Sequence, residues 1–262
     1  MYERIGYLKE KFRLFHLKDK SDKTYDFHYH DFSKIIFFLD GDVKYIIEGK
    51  TYELRPYDIV LVPKNEIHKP CIGNDREYER IVLYLAQSFF DDERLNGIFN
   101  LAKENHTNVL RLSPKDNTKV FSIMKEAFDK WEEGNEFSDL YSKLLVTEAL
   151  IMLNESVNNH GFLFEGSVVF NERIVKACEY INTHLNEDLN VDRLSKMFFL
   201  SKYHFMRLFK EATGYSVHQY VLEKRILYTE ALAESGEKVT RACLMAGFKD
   251  YSTYLRAKKK RD

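Results

Sequence analysis

The stretch SKYHFMRLFKEATG, Ser201 to Gly214, decides how the C-terminal part of this chain is read. Wound at about 3.6 residues per turn, it places Phe205, Leu208, Phe209 and Ala212 on one face and Tyr203, Met206, Arg207 and Lys210 on the opposite one. The first face is that of a helix packed on a core. The second sets an aromatic ring, a thioether and two cations where side chains meet water, and so asks for a partner. Ser201 stands where a helix N-cap belongs.

The stretch has an echo. Leu194-Ser195 set on Ala242-Cys243 gives an offset of 48, which becomes 49 beyond the turn and pairs Phe205 with Tyr254, Met206 with Leu255 and Arg207 with Arg256. Around these segments the pattern is helical. A first stripe runs Ile174, Cys178, Ile181, Leu185, Asn190 caps a helix through Phe198, and a long helix spans Val217 to Ala233. Val239 to Ala246 and Asp250 to Lys260 follow around Gly247-Phe248. Two helix-turn-helix units in succession are expected. In such a unit the first helix braces the backbone and the second presents its outer face to the major groove. Arg207 can then grip guanine O6 and N7 together, with Tyr203 and Met206 beside it, while Lys210, one turn on, is placed for phosphate. In the second unit the corresponding face is Tyr251, Ser252, Leu255, Arg256 and Lys259.

Charge agrees with a polyanion bound at one end. The whole chain carries 40 Lys+Arg and 41 Asp+Glu, but residues 168 to 262 hold 17 bases against 12 acids, which leaves 23 against 29 for residues 1 to 167. A basic module on an acidic one is expected to face DNA with one half only. At 262 residues the chain suits two domains. MYERIGYLKEKF lacks the apolar segment of a secretory signal, and runs such as Ile35 to Leu39 and Ile59 to Val62 are far short of a membrane span. Cys71, Cys178 and Cys243 are scattered, which suits neither a metal clamp nor a disulfide framework. The expectation is a soluble cytoplasmic protein with no membrane partner and no cofactor.

From Asp26 to Leu85 the pattern is that of short strands: the alternation Val43, Tyr45, Ile47, the turn pairs Asp40-Gly41 and Glu48-Gly49, and Ile59 to Val62 closed by Pro63. An antiparallel barrel or sandwich is expected. Helices over Asn117 to Glu132 and Phe137 to Asn154, broken at Gly134-Asn135, form a hairpin with Phe121, Met124, Phe128, Leu140, Leu144, Leu145 and Leu153 as stripes. The hairpin can cover the sheet or meet a second copy of the chain. The divisions expected are 1–155 for an effector-binding and dimerisation domain, 156–167 for a linker around NNHGFLFEGS, and 168–262 for DNA binding.

Ser201, Phe205, Arg207, Phe209-Lys210, Gly214, then Tyr220, Arg225, Ala231-Leu232, and finally Gly247-Phe248, Asp250, Tyr254 and Arg256 resemble the DNA-binding domain of AraC/XylS-type transcription regulators. The resemblance covers about 90 residues. It implies a seven-helix domain whose long linker helix holds two recognition helices in successive major grooves. The fold implied is α+β in two domains: a cupin-like antiparallel β-barrel with a helical hairpin, then an all-α domain with two helix-turn-helix units. Lys258 stands where the family places an apolar Phe, and the sequence ends at Asp262. From this the second recognition helix is expected to dock on Tyr254 alone, with Lys258, Lys259, Lys260 and Arg261 serving phosphates.

FHYHDFSKIIFFLDG and DIVLVPKNEIHKP resemble the family's cupin-like regulatory domain. His28, His30 and His68 match positions where catalytic cupins hold a divalent metal, but Lys34 stands near the place of the expected carboxylate and would repel a cation. The histidines can instead line an effector pocket or serve structure. Tyr45, Arg80 and Tyr84 complete the candidate lining together with Lys34. The function expected is a sequence-specific, non-enzymatic transcription regulator that binds promoter or operator DNA as a homodimer, with a small-molecule effector and RNA polymerase as further candidate partners. The competing readings are a metal-dependent cupin enzyme with a nucleic-acid-binding appendage, and a regulator with no small-molecule ligand.

Overall fold

The computed structural model describes residues 8–20, 24–73, 76–158, 162–164 and 171–261. The chain divides into two compact units, one built largely from described residues before 165 and the other largely from those after 170.

The first unit begins with a strand the sequence pattern did not announce, β1 (Phe12–Asp19), followed by β2 (Ser33–Asp40), β3 (Val43–Ile47), β4 (Lys50–Glu53), β5 (Ile59–Val62), β6 (His68–Ile72) and β7 (Tyr78–Leu85). Helix α1 (Gly97–Glu104), strand β8 (Val109–Leu112), helices α2 (Pro114–Glu133) and α3 (Ser138–Asn158) and strand β9 (Phe162–Phe164) complete it. One sheet runs β1-β7-β2-β5-β8-β9 and a smaller one β4-β3-β6. The expected barrel is therefore open: two antiparallel sheets packed face to face rather than one closed ladder. Segment 156–167 is less of a linker than its composition suggests, since α3 runs on to Asn158 and β9 pairs with β8; residues 159–161 and 165–167 lie outside the described residues.

The run SKIIFFLD of β2 is apolar on both faces because both are covered. Ile35 and Phe37 pack with Ile81, Leu83, Phe121, Met124 and Leu153 on the helix side. Ile36 and Phe38 pack with Tyr45, Ile47, Tyr78 and Val82 between the sheets. Since side chains alternate along a strand, Lys34 joins the inner set with Ile36, and Tyr78, Arg80, Val82 and Tyr84 of β7 do the same. This alternation builds the cavity described below.

The hairpin α2–α3 forms as expected, with Ser113 capping α2 through Asp116 N, Pro114 in its first turn and Gly134 closing it in the left-handed region at φ 61°. Not all of its stripe is core. Phe121, Met124 and Leu153 are buried, whereas Leu140 and Leu144 stand exposed in line with Phe137, Tyr141 and Ile151.

The second unit is helical: α4 (Glu172–Thr183), α5 (Val191–Met197), α6 (Lys202–Thr213), α7 (Val217–Glu234), α8 (Val239–Met245) and α9 (Tyr251–Arg261). That makes six helices among the described residues, where the family resemblance implies seven. Helix α7 starts with a reciprocal cap, Ser216 with Gln219, and serves as the spine. Its Tyr220 ring meets Phe209 of α6 edge-on at 5.3 Å. Further along it, Leu222 and Ile226 pack with Cys243, Ala246, Phe248 and Tyr254 of the second helical pair. No helix among the described residues is long and apolar enough to cross a membrane.

Candidate nucleic-acid interface and effector cavity

The two helical pairs α5–α6 and α8–α9 turn the same corner, bond for bond. In the first, Phe198 N donates to Leu194 O, Phe199 N to Lys196 O and Leu200 N to Ser195 O; in the second, Ala246 N donates to Ala242 O, Gly247 N to Leu244 O and Phe248 N to Cys243 O. Every donor and acceptor is related by the offset of 48. The second helices are likewise capped at matching places, Ser201 accepting from His204 N and Asp250 from Thr253 N. Between the corner and the cap lies the one inserted residue, Lys249, which changes the offset to 49.

All nine residues expected on the reading faces are exposed: Tyr203, Met206, Arg207 and Lys210 on α6, and Tyr251, Ser252, Leu255, Arg256 and Lys259 on α9. Their helices are held from behind. Phe205 and Phe209 are wholly buried, 5.7 Å apart between ring centroids, with Leu208 and Ala212 beside them. On α9 the anchor is Tyr254, against Phe248 at 5.5 Å. The expectation that α9 docks on Tyr254 alone is corrected here. Ala257 packs on the same cluster, and Lys258 reaches back to Glu230 of α7 at 2.9 Å, a hydrogen bond that raises its pKa. Lys258 thus acts as a strut between α9 and α7. Arg207 donates to Glu211 at 3.0 Å and lies 3.3 Å from His204 Nδ1. Arg256 has Thr253 Oγ1 at 3.3 Å, and Lys260 occupies the place that corresponds to Glu211.

A cavity of about 400 Å³ opens on the inner face of the large sheet. Of the seven residues expected to line it, His28, His30, Lys34, Tyr45, Arg80 and Tyr84 do so. His68 stands behind that wall, fully buried, stacked 6.0 Å from the Tyr45 ring. Leu17, Tyr25, Ile36, Tyr78 and Val82 also line the cavity and were not expected. The alternation from Arg80 along β7 was the available signal for Tyr78 and Val82. Arg80 is held by an ion pair with Asp19 and by Nη1 donating to Tyr78 O at 3.0 Å.

His28 and His68 pair their backbones, N to O at 3.1 and 2.9 Å. Each ring donates from Nδ1 to a carbonyl two residues back, Asp26 O and Glu66 O, at 2.8 Å in both cases. The ligand nitrogens of His28, His30 and His68 lie within 4.8 Å of one another, a spacing that three metal ligands could use. The residues do not fit a metal, however: Lys34 Nζ donates to His68 Nε2 at 3.3 Å, so an amine takes the lone pair an ion would need. Burial, together with the Lys34 charge, lowers the His28 pKa to about 4 and holds His68 well below the usual imidazole range. Burial and the nearby Arg80 lower Lys34 to about 7. A larger recess of about 680 Å³ lies between α2 and the outer face of the sheet, but its His16–Glu79 pair at 2.8 Å and the adjoining Lys18–Glu79 pair at 3.1 Å satisfy one another.

Residues 14–150 match the family model described as an AraC-like ligand binding domain, and residues 194–261 match one described as a helix-turn-helix domain. The chain is 26% identical over 238 residues to "Probable transcriptional regulator LumQ" of Photobacterium leiognathi, covering 90% of this chain and 88% of that one. It is 23% identical over 242 residues to the HTH-type transcriptional activator Btr of Bacillus subtilis, of which it spans 43%. An uncharacterized HTH-type transcriptional regulator of Staphylococcus aureus is 23% identical over 224 residues, and the chain spans 29% of its length. Among solved structures, ToxT from Vibrio cholerae aligns over 96% of this chain and 95% of that one at 16% identity with a TM-score of 0.38. The AraC-like transcriptional activator CuxR aligns over 82% of this chain and 72% of that one at 17% identity with a TM-score of 0.36. With a ligand-binding model matched across more than half its length and a helix-turn-helix model matched across its basic end, the chain belongs to the AraC family of DNA-binding transcription regulators.

Proposed function

We propose that Tyr203, Met206, Arg207 and Lys210 on α6, with Tyr251, Ser252, Leu255, Arg256 and Lys259 on α9, are the residues through which this regulator reads its operator, and that the inner-sheet cavity receives the effector. The observation that carries the first part is the paired geometry: two corners with identical hydrogen bonds, each followed by a capped helix whose apolar side is buried and whose opposite side exposes an aromatic ring, an apolar chain (Met206 or Leu255) and cations. Phosphate contacts give affinity without sequence, and base-edge contacts give sequence. Operator affinity should therefore fall steeply with salt, and affinity unchanged between low and moderate salt would break the reading.

The cavity favours a small molecule with an apolar body and an acidic group. Its walls are largely aromatic and aliphatic, and it holds two cations: Lys34, beside the neutral imidazoles of His28 and His68, and Arg80, paired with Asp19. Lys34 binds an anion only when protonated. With its pKa lowered to about 7, anion affinity should hold below that pH and fall as pH rises above it. Thermal-shift titration with short-chain and aryl monocarboxylates, and with their neutral amides, at pH 6 and pH 8 tests this. Equal responses to acid and amide would remove the acidic group from the proposal. Residues 1–155 then serve effector binding and self-association, and 168–262 serve DNA. The exposed row Leu140, Leu144 and Ile151 on α3, with Phe137 just before its start, is the face offered to a second copy, and sedimentation of the full chain at micromolar concentration tests it.

A further inference from the structure

The corner between α5 and α6 carries a residue that the fold does not ask for. Phe199 and Gly247 occupy the same place in the two units, by the matched hydrogen bonds given above, and both lie in the left-handed region, at φ 55° and 90°. A helix that ends this way favours glycine, because a β-carbon in that conformation crowds the following carbonyl. Gly247 obeys for a second reason as well: a β-carbon there would lie 2.2 Å from Leu185 O and 2.9 Å from Arg225 Nε. Phe199 has the opposite setting. The residue is 85% exposed, so the left-handed strain there comes with no packing in return.

Phe199 lies beside the first reading face and near several cations, of which Lys202 is paired with Asp192 at 3.0 Å. Arg173 Nη1 donates to Phe199 O at 3.1 Å and holds the corner. Lys196 and Lys202 are exposed on either side of it in sequence. Ser201, the cap of α6, is two residues on, and Tyr203, 74% exposed, stands in the first turn of that helix. An exposed ring among cations at the entrance of a recognition helix is complementary to the apolar parts of a nucleic acid, which lie between its phosphates.

We propose that Phe199 is a DNA-contacting residue, its ring packing on a thymine methyl or a deoxyribose at the edge of the site read by α6. The proposal rests on the DNA reading and adds a contact outside both reading faces. A strained, exposed aromatic kept at a functional surface is the arrangement expected when stability is given up for binding.

The test uses the full chain and duplexes selected by it from a random-sequence pool. Phe199→Gly and Phe199→Asn both suit a left-handed corner and remove the ring. Each is expected to bind the selected duplexes about five- to tenfold more weakly, the effect of losing one modest base-pair contact, while its unfolding midpoint stays level or rises. Duplexes with deoxyuridine in place of thymidine separate the two contacts: a wild-type loss that the variants do not share identifies the methyl, and equal behaviour identifies the sugar. Variants that bind as tightly as wild type overturn the proposal. So does a binding loss accompanied by a lowered unfolding midpoint in both variants, since the ring would then be structural. If the wild-type chain selects no sequence at all, the DNA reading fails with it; if it selects and the variants match it, only this inference fails.

Discussion

The two helix-turn-helix units share one backbone and differ in what holds it. In the first, Asn190 caps α5 and Ser201 caps α6, and two buried phenylalanines anchor α6, with Phe209 against Tyr220 of the spine helix α7. In the second, Lys238 gives α8 no side-chain cap, one tyrosine replaces two phenylalanines, and the place of Phe209 belongs to Lys258, whose ion pair with Glu230 does the fastening. The difference teaches that a recognition helix can be positioned by a dry core or by a polar strut. The strut is the weaker of the two, because a partly exposed ion pair gains little over hydration.

The comparison breaks most easily on the anchors themselves. Phe209→Ala should destabilise the chain by about 3–5 kcal/mol, the cost of emptying a buried aromatic site, read by urea unfolding. Lys258→Ala, its counterpart, should cost under about 1 kcal/mol. Equal costs would mean that the strut is as firm as the core. Gly247→Ala should cost about 3 kcal/mol, because left-handed strain and the approach of Leu185 O act together; a mild effect would show that this corner relaxes easily.

Base reading is the next, smaller effect. Arg207→Ala should weaken operator binding by about 1–3 kcal/mol and relax preference at one base pair. Arg256→Ala should relax preference too, since Tyr254, Ala257 and Lys258 all fix α9. Titration against operator variants measures both, and a loss at Arg256 that is uniform over all sequences would mark α9 as a phosphate-binding element. The smallest effect concerns Glu211. Removing it frees Arg207 from an exposed i,i+4 pair worth about 0.3–0.5 kcal/mol and takes one negative charge off the reading face. Glu211→Ala should therefore tighten binding slightly at low salt, with no gain at high salt. A weakened Glu211→Ala would instead show that the carboxylate orients Arg207.

Much of this was legible in order of residues. The 3.6-residue spacing of Phe205, Leu208, Phe209 and Ala212 established α6 and its buried face, and the internal echo established a second unit, because helix faces and corners are set by local geometry that a short stretch carries with it. Alternation in β3 and the turn pairs around it likewise announced strands. Strand β1 was not announced: FRLFHLKD alternates only in part, and it is a strand because β7 offers it a full ladder. The same holds for the candidate sites. Which residues face outward on α6 and α9 followed from period alone. That six of seven expected residues share one cavity while His68 stands behind it, that Lys34 meets His68 rather than a metal, and that Lys258 finds Glu230 all depend on side chains from separate strands or helices brought within a few ångströms. Such meetings were decided by the tertiary structure alone, because burial and pairing belong to neighbours in space. Phe199 belongs with these: the echo announced two corners, and only the fold set Phe199 opposite Gly247 and revealed that its corner is left-handed and its ring uncovered.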